Sequence, residues 1–326
     1  MFSESSQDEV IRGTNDDATV SRLSAVQLGY MQDPFVQYFV KRPVRRSPII
    51  NRGSYIRSRA LDALVTQFLS MPTSCKKKQI VSLGAGYDTR YFLIKSGHHG
   101  AQLDEQIMRY FEIDFPEIVV KKAMILKRRS RIFRMEQARV EHGGAELTTS
   151  QYTLIGGDLR EWAAQIAPRL HHHGFDASAP TLFLSECVMI YLDPAHSQAI
   201  LDWVTSQVKN CMFVLYEQIR PRDAFGQMMI RNLQSRNIEL KGLEAFPDLA
   251  DQERRFMQLG WNGAKAVDIN TIHDTYLERE DISRMAKLEI LDELEEWKLL
   301  AGHYCIAWAY KADEESKDDF VNIKLC

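Results

Sequence analysis

Two glycines and three carboxylates fall where short apolar runs end: Gly84 and Gly86 in "VSLGAGYDTR", Asp114 in "YFEIDFPEIV", Asp158 in "GGDLRE" and Glu186 in "LFLSECVMIYL". A glycine pair after a strand lets a ligand approach the main chain where a Cβ would clash, and the helix that follows offers unpaired N–H groups. Phosphate is the usual guest of such a turn, but Thr89 occupies the place of the third glycine, so the dinucleotide fingerprint is incomplete. The plain alternative is an ordinary strand-to-helix turn. Asp114, about 28 residues beyond Gly86, suits both hydroxyls of a ribose, or else the N-cap of a helix begun by Pro116. Asp158 can accept from an adenine amino group while Leu159 covers the ring, and it can equally cap the segment "LREWAAQIAPRL". Glu186 interrupts a strongly apolar run, where an ionised carboxylate is costly without a partner, so it is expected to face a donor or a cation. Together, glycine, acid, acid and acid at successive strand ends describe one pocket for an adenosine. A sulfonium cofactor has no phosphate to cradle and favours carboxylates nearby, which tilts the reading toward a methyltransferase.

The elements needed to hold these residues are strands alternating with helices. Short apolar runs in "QIVSLGAG", "RYFEIDF", "YTLIGGDL", "TLFLSECVMIYL" and "CMFVLYEQI", later joined by "AKAVDI" and "HYCIAWAYKA", argue for βαβ units around a parallel sheet. Ahead of them the spacing predicts a helix from Ala18 to Leu28, capped near Asp17, and an amphipathic helix over "SYIRSRALDALVTQFLS". The polar start, residues 1–15, is expected to be mobile. The expected organisation is a single domain over 16–326: N-terminal helices at 16–76, a cofactor-binding core at 77–220, a substrate-side insertion at 221–262 and C-terminal strands and helices at 263–326.

Composition excludes several classes. Lys+Arg 41 against Asp+Glu 44 leaves a net charge of −3, so nothing global draws the chain to nucleic acid or an anionic membrane. Cys75, Cys187, Cys211, Cys305 and Cys326 are scattered, without a Cys-x-x-Cys pair or a histidine at metal spacing, so no metal site is expected. An acid-rich start without an apolar core, and no run near the roughly twenty apolar residues that span a bilayer, predict a cytoplasmic protein. His171–His173 and His98–His99 read as solvated turns, and Cys187 as an inert core thiol raised by apolar surroundings.

The blocks "INRGSYIR", "VSLGAGYDTRYF", "FEIDFPEIV", "GGDLR", "LFLSECVMIYL", "DELEEW" and "HYCIAWA", in that order from about Val10 to Ala309, resemble the leucine carboxyl methyltransferase family. The resemblance implies an α/β fold of the S-adenosylmethionine-dependent, Rossmann-like type, with N-terminal helices and a helical lid insertion. It implies S-adenosyl-L-methionine as cofactor and, as substrate, the C-terminal leucine carboxylate of the protein phosphatase 2A catalytic subunit, whose assembly the methyl ester regulates. Residue by residue, it puts Arg57 on the carboxylate of the cofactor's methionine moiety, Gly84 in the first cofactor-binding turn and Asp114 on the ribose. It also puts Asp158 and Leu159 around the adenine and Glu186 near the methionine amino group. Arg22 stands where family members carry a cofactor-contacting lysine.

A terminal carboxylate is already ionised at neutral pH, so no general base is expected. Tyr191 and Arg52 are candidate donors to the substrate carboxylate, and Met228, Met229, Phe246, Phe256 and Trp261 of the insertion candidates for an apolar wall around a leucine side chain. The basic connector Lys41–Arg46 is a candidate for meeting an acidic face of the phosphatase, or a solvated loop. A monomer is expected. The rival readings are carboxyl O-methylation of a hypermodified tRNA base, which the resemblance ties to a branch with a long C-terminal extension absent after Cys326, or of a small molecule; a further rival is a phosphatase-binding module without turnover.

Overall fold

A computed structural model describes residues 4–72, 77–100 and 102–325; Cys75 and Cys326 lie outside the described residues. Two long helices come first, α1 (Glu4–Gln27) and α2 (Pro48–Ser70). The sheet then begins with β1 (Lys78–Leu83), α3 (Arg90–Lys95), β2 (Ile107–Asp114), α4 (Pro116–Arg128) and the single turn α5 (Ser130–Phe133). A small hairpin, β3 (Arg139–Glu141) and β4 (Glu146–Thr148), leads into β5 (Tyr152–Gly156), α6 (Ala167–His172), β6 (Thr181–Glu186), α7 (Pro194–Gln207) and β7 (Cys211–Gln218). The insertion carries α8 (Ala224–Gln234) and α9 (Leu249–Met257). The chain closes with β8 (Gly263–Asp268), α10 (Ile269–Thr271), α11 (Arg279–Leu288), α12 (Leu294–Gly302), β9 (Tyr304–Lys311) and α13 (Lys317–Val321).

One nine-stranded sheet runs in the order β3-β4-β5-β2-β1-β6-β7-β9-β8. Its middle, β5-β2-β1-β6-β7, is parallel, and both flanks are antiparallel. Every residue of β1 is buried because helices cover both faces, which is why these strands read as unbroken apolar runs. Alternate side chains feed two cores. Ile80, Leu182 and Met212 point to the side of α2, with Ile56, Leu61, Leu64 and Phe68, while Val81, Phe183 and Phe213 point to the side of α7 and α9, with Ile200, Leu201 and Phe256. Pro48 opens α2, where a missing N–H costs nothing, and buried Lys78 closes it by donating Nζ to the carbonyls of Leu69 and Met71 at 2.9 and 2.7 Å.

The N-terminal segment is helical from Glu4. Three expectations need correction. Asp17 is not a cap but an interior residue of α1 paired with Arg46 and Arg236. Phe256 and Trp261 do not line the cavity: the apolar side of α9 turns inward, so Phe256 packs on Phe213 beneath the sheet and Trp261 packs on Phe256. Met228 is 44% exposed, Met229 packs with Ile190 and Leu243, and Phe246 lies against the Arg255 guanidinium. The histidine run ends α6, with His173 paired to Glu146 at 2.9 Å rather than solvated. Among the described residues no helix is long and apolar enough to cross a membrane.

Candidate functional site

Strand order reverses between β1 and β6, and a parallel sheet opens a crevice at the carboxyl ends of the strands there. A cavity of about 520 Å³ occupies it, lined by Gly84, Asp114, Asp158 and Glu186 from four successive strand ends and by Gln218 from a fifth. The sequence-predicted Arg22, Arg57, Leu159 and Tyr191 also line it.

The glycine turn is built for the protein's own chain. Gly84 and Gly86 have φ of +57° and +49°, and a Cβ on them would lie 2.4 Å from a Val188 methyl and 2.3 Å from Asn15 Oδ1. The amides are already used: Gly86 N donates to Asp114 Oδ2 at 2.6 Å and Tyr87 N to Asn15 Oδ1 at 2.9 Å. A phosphate would have to displace both acceptors, so the turn does not make a phosphate cradle. Asp114 is not the cap of α4 either, since Phe115 holds that position; its carboxylate receives the Gly86 and Phe115 amides. Burial nonetheless pushes its pKa up to about 6, against those hydrogen bonds.

Asp158 does cap a short turn, accepting from Arg160 N, and its carboxylate is also clamped by the Arg160 guanidinium, which reaches on to Asp8 of α1 at 2.7 Å. Burial acts to raise the Asp158 pKa, but the Arg160 hydrogen bonds outweigh it and leave it below the ordinary value. Leu159 is buried beside it.

Glu186 has the cations its apolar strand demanded. Arg57 approaches at 3.3 Å from α2 and Arg90 at 2.9 Å from α3. Arg90, 2% exposed, simultaneously holds Asp62 at 2.7 Å and Asp88 at 2.6 Å. The Arg57 guanidinium also lies over the Tyr216 ring, 5.1 Å from its centroid. Arg22 lines the cavity, but its guanidinium is engaged by Asp33 at 2.7 Å and Ser58 at 2.9 Å. Burial raises the Tyr191 hydroxyl above its ordinary pKa, keeping it a donor.

Arg52 lies outside the cavity, buried in α2 near the Tyr30 hydroxyl. Cys187 packs against the core as expected, and burial pushes its thiol up to about 12, but at φ +53° it also lines the cavity. Sequence reasoning also missed Arg90, Asn15 and Gln218. Arg90 was legible in principle, since it closes the same "GAGYDTR" stretch and a carboxylate in an apolar strand such as Glu186 needs a cation. The insertion contributes Leu233, Arg236, Ile238 and Lys241 to the lining, none of them anticipated.

Acceptors for hydroxyl and amino donors at one end, and a paired carboxylate and guanidinium at the other, suit a nucleoside joined to an amino acid. The chain matches the leucine carboxyl methyltransferase family over residues 7–205. A leucine carboxyl methyltransferase 1 homolog of Arabidopsis thaliana is 42% identical over 92% of this chain and 88% of its own length. The human tRNA wybutosine-synthesizing protein 4 is 37% identical over 93% of this chain but only 44% of its own length. Among solved structures, a DUF574 family protein of Streptomyces avermitilis shares the fold at a TM-score of 0.51 and 14% identity, over 89% of this chain and 96% of that one. With the sheet order, the strand-end acids and these likenesses agreeing, the chain belongs to the leucine carboxyl methyltransferase family and has its α/β, Rossmann-like methyltransferase fold.

Proposed function

We propose that the protein transfers the methyl group of S-adenosyl-L-methionine to the α-carboxylate of a C-terminal leucine, with the protein phosphatase 2A catalytic subunit as acceptor. The observation that carries this is the Glu186–Arg57–Arg90 cluster at the switch point, in line with Asp114 and Asp158 in one cavity. In this reading Asp114 accepts the ribose hydroxyls beside the Gly84 turn, Asp158 and Leu159 receive the adenine, Glu186 pairs with the methionine amino group and Arg57 with its carboxylate. Arg22, whose guanidinium Asp33 and Ser58 already hold, shapes the cofactor end of the cavity without a free guanidinium.

The cofactor supplies an electrophilic methyl on a sulfonium. With that cofactor bound, an oxygen of the substrate carboxylate would form the new C–O bond as the S–CH₃ bond broke, the electron pair of that bond staying on sulfur. The acceptor is ionised at neutral pH and no proton is released, so the site needs no base. A cation and an anion become neutral products, and a cavity that excludes water favours that change. The polar task left to the chain is to position the carboxylate with modest donors; Tyr191, which lines the cavity, is our candidate, and Arg52, outside it, is not.

The cations lining the cavity are each paired: Arg12 with Glu117, Arg22 with Asp33, Arg57 with Glu186, Arg160 with Asp158, Arg236 with Asp17 and Lys241 with Asp193. That suits a single carboxylate better than a polyanion. The similarity to a wybutosine-synthesizing protein favours one second reading, methylation of a carboxyl on a modified tRNA base. Labelled cofactor offered with folded phosphatase 2A catalytic subunit, with the same subunit lacking its terminal leucine and with bulk tRNA separates the two. Base-labile label on the intact subunit alone is expected; label on tRNA alone would overturn the protein-substrate reading.

A further inference from the structure

Of the two guanidiniums on Glu186, Arg90 is the better held. It lies 2.9 Å from that carboxylate and also donates to Asp62 and Asp88. Arg57 lines the cavity and reaches it from α2 on a long, rotamer-rich side chain. Its Nε comes within 3.3 Å of Glu186 Oε2 without making an aligned hydrogen bond, and Arg90 beside it carries the same charge. Attraction to Glu186 alone therefore leaves the plane of the Arg57 guanidinium loosely set. An aromatic ring supplies the missing constraint. The guanidinium lies over Tyr216, 5.1 Å from the ring centroid, and Tyr216 is 8% exposed at the end of β7, in register with Glu186 on β6. The Tyr216 ring is stacked in turn on Tyr304 of β9, with centroids 5.2 Å apart and planes 12° apart. These two are diagonal neighbours across the β7 and β9 ladder, where Tyr216 faces Ile306 and Gln218 faces Tyr304. Both rings line the cavity.

A ring face attracts a cation through its quadrupole, most strongly where water is excluded, and a planar guanidinium stacks on it. Two-point recognition of a carboxylate in turn needs the arginine fork held in one orientation. We propose, resting on the cofactor reading above, that Tyr216 is a positioning residue whose ring face holds the Arg57 guanidinium in place to meet the carboxylate of the cofactor's methionine moiety. The ring does this work and the hydroxyl takes no part in it. Tyr304 acts one step further back, by fixing the plane of the Tyr216 ring.

The test uses the full chain and measures, by calorimetry, the binding of S-adenosylhomocysteine and of 5′-methylthioadenosine, which keeps the nucleoside and the thioether but lacks the amino-acid part. Tyr216→Phe keeps the ring face and loses the hydroxyl. A pentafluorophenylalanine placed at the same position keeps the shape of phenylalanine and reverses the ring quadrupole, so neither change asks the core to close around a smaller side chain. Tyr216→Phe is expected to bind S-adenosylhomocysteine within about twofold of the parent, and the fluorinated ring about 10-fold more weakly. Neither change should move 5′-methylthioadenosine. In an Arg57→Ala background the fluorinated ring should cost nothing further, because the cation it acts through is gone. Equal affinities of the two variants for S-adenosylhomocysteine would overturn the assignment. So would a loss shared by both ligands, which a merely structural role would give, or a loss that simply adds to that of Arg57→Ala. If the parent binds neither ligand, or Arg57→Ala binds S-adenosylhomocysteine as the parent does, the cofactor reading falls and takes this inference with it; a weakened Arg57→Ala beside an indifferent ring sinks this inference alone.

Discussion

Arg57 and Asp114 do opposite things with charge. Arg57 shares Glu186 with Arg90, so removing it leaves that carboxylate paired and the fold supported. Arg57→Ala is therefore expected to melt within a few degrees of the parent while binding the cofactor about 100-fold more weakly, the scale of one lost charge-assisted bidentate contact. Calorimetry returning the parental affinity would remove Arg57 from the cofactor site. Asp114 is governed by its proton. Burial places its pKa at about 6 against an ordinary 3.8, so near neutrality it is ionised and can accept two hydroxyls, and below about pH 6 it cannot. Cofactor affinity is thus expected to be flat from pH 7 to 8 and to fall up to about tenfold per unit below 6, with Asp114→Asn weak and pH-independent. Stability of the ligand-free chain runs the other way. A carboxyl whose folded pKa is raised contributes most below its unfolded value and loses that contribution as pH rises through about 6. Parallel pH profiles of affinity and melting would show that another group controls the binding.

At the scale of elements, the parallel strands and the acids at their ends were legible because burial on both faces writes a strand as an apolar run that a lone carboxylate must interrupt. The helix faces were less so. Arg52 and Arg57 are five residues apart, about 140° around a helix at 3.6 residues per turn, so α2 could not have turned both into one cavity. The first turns of α1 escaped notice because they meet a polar surface through Asp8, Arg12 and Asn15, leaving no apolar period to read. The hairpin β3-β4, two strands of three residues each, is too short to carry a pattern. One consequence is a coupling between α1 and the glycine turn. A side chain at Gly86 meets Asn15 Oδ1 and must also adopt positive φ, so Gly86→Ala is expected to cost about 2–3 kcal/mol in denaturant unfolding. Only the clash depends on Asn15. Gly86→Ala combined with Asn15→Ala should therefore lose clearly less than the sum of the two single changes. Strict additivity would mean that α1 does not rest on the turn.

Across the whole molecule, the cavity charges join a buried series that no local pattern announces. Lys122 of α4, fully buried, pairs with Glu112 on β2 and donates to the Asp88 carbonyl at 2.9 Å, while Tyr152 of β5 donates to Glu112 at 2.6 Å. The Asp88 side chain in turn holds Arg90, and Arg90 holds Glu186. The members come from β2, β5, α4, α3, β6 and the turn after β1, so the series exists only once the sheet has assembled, which is why single segments gave no sign of it. Desolvation already pushes the Glu112 carboxyl up to about 7 with Lys122 in place. Lys122→Met removes that partner and the support beneath Asp88 together. It is expected to destabilise the chain by roughly 3–5 kcal/mol, as breaking one side of a buried pair does. Cofactor affinity should drop as well, since Arg90 loses a fixed Asp88. Replacing both partners, Glu112→Leu with Lys122→Met, leaves no uncompensated charge and should recover most of the stability. The affinity loss should persist, because the donor to the Asp88 carbonyl is still missing. Recovery of both together would mean that the series only fills the core, and that Glu186 is positioned by Arg57 and Arg90 without help from the far side of the sheet.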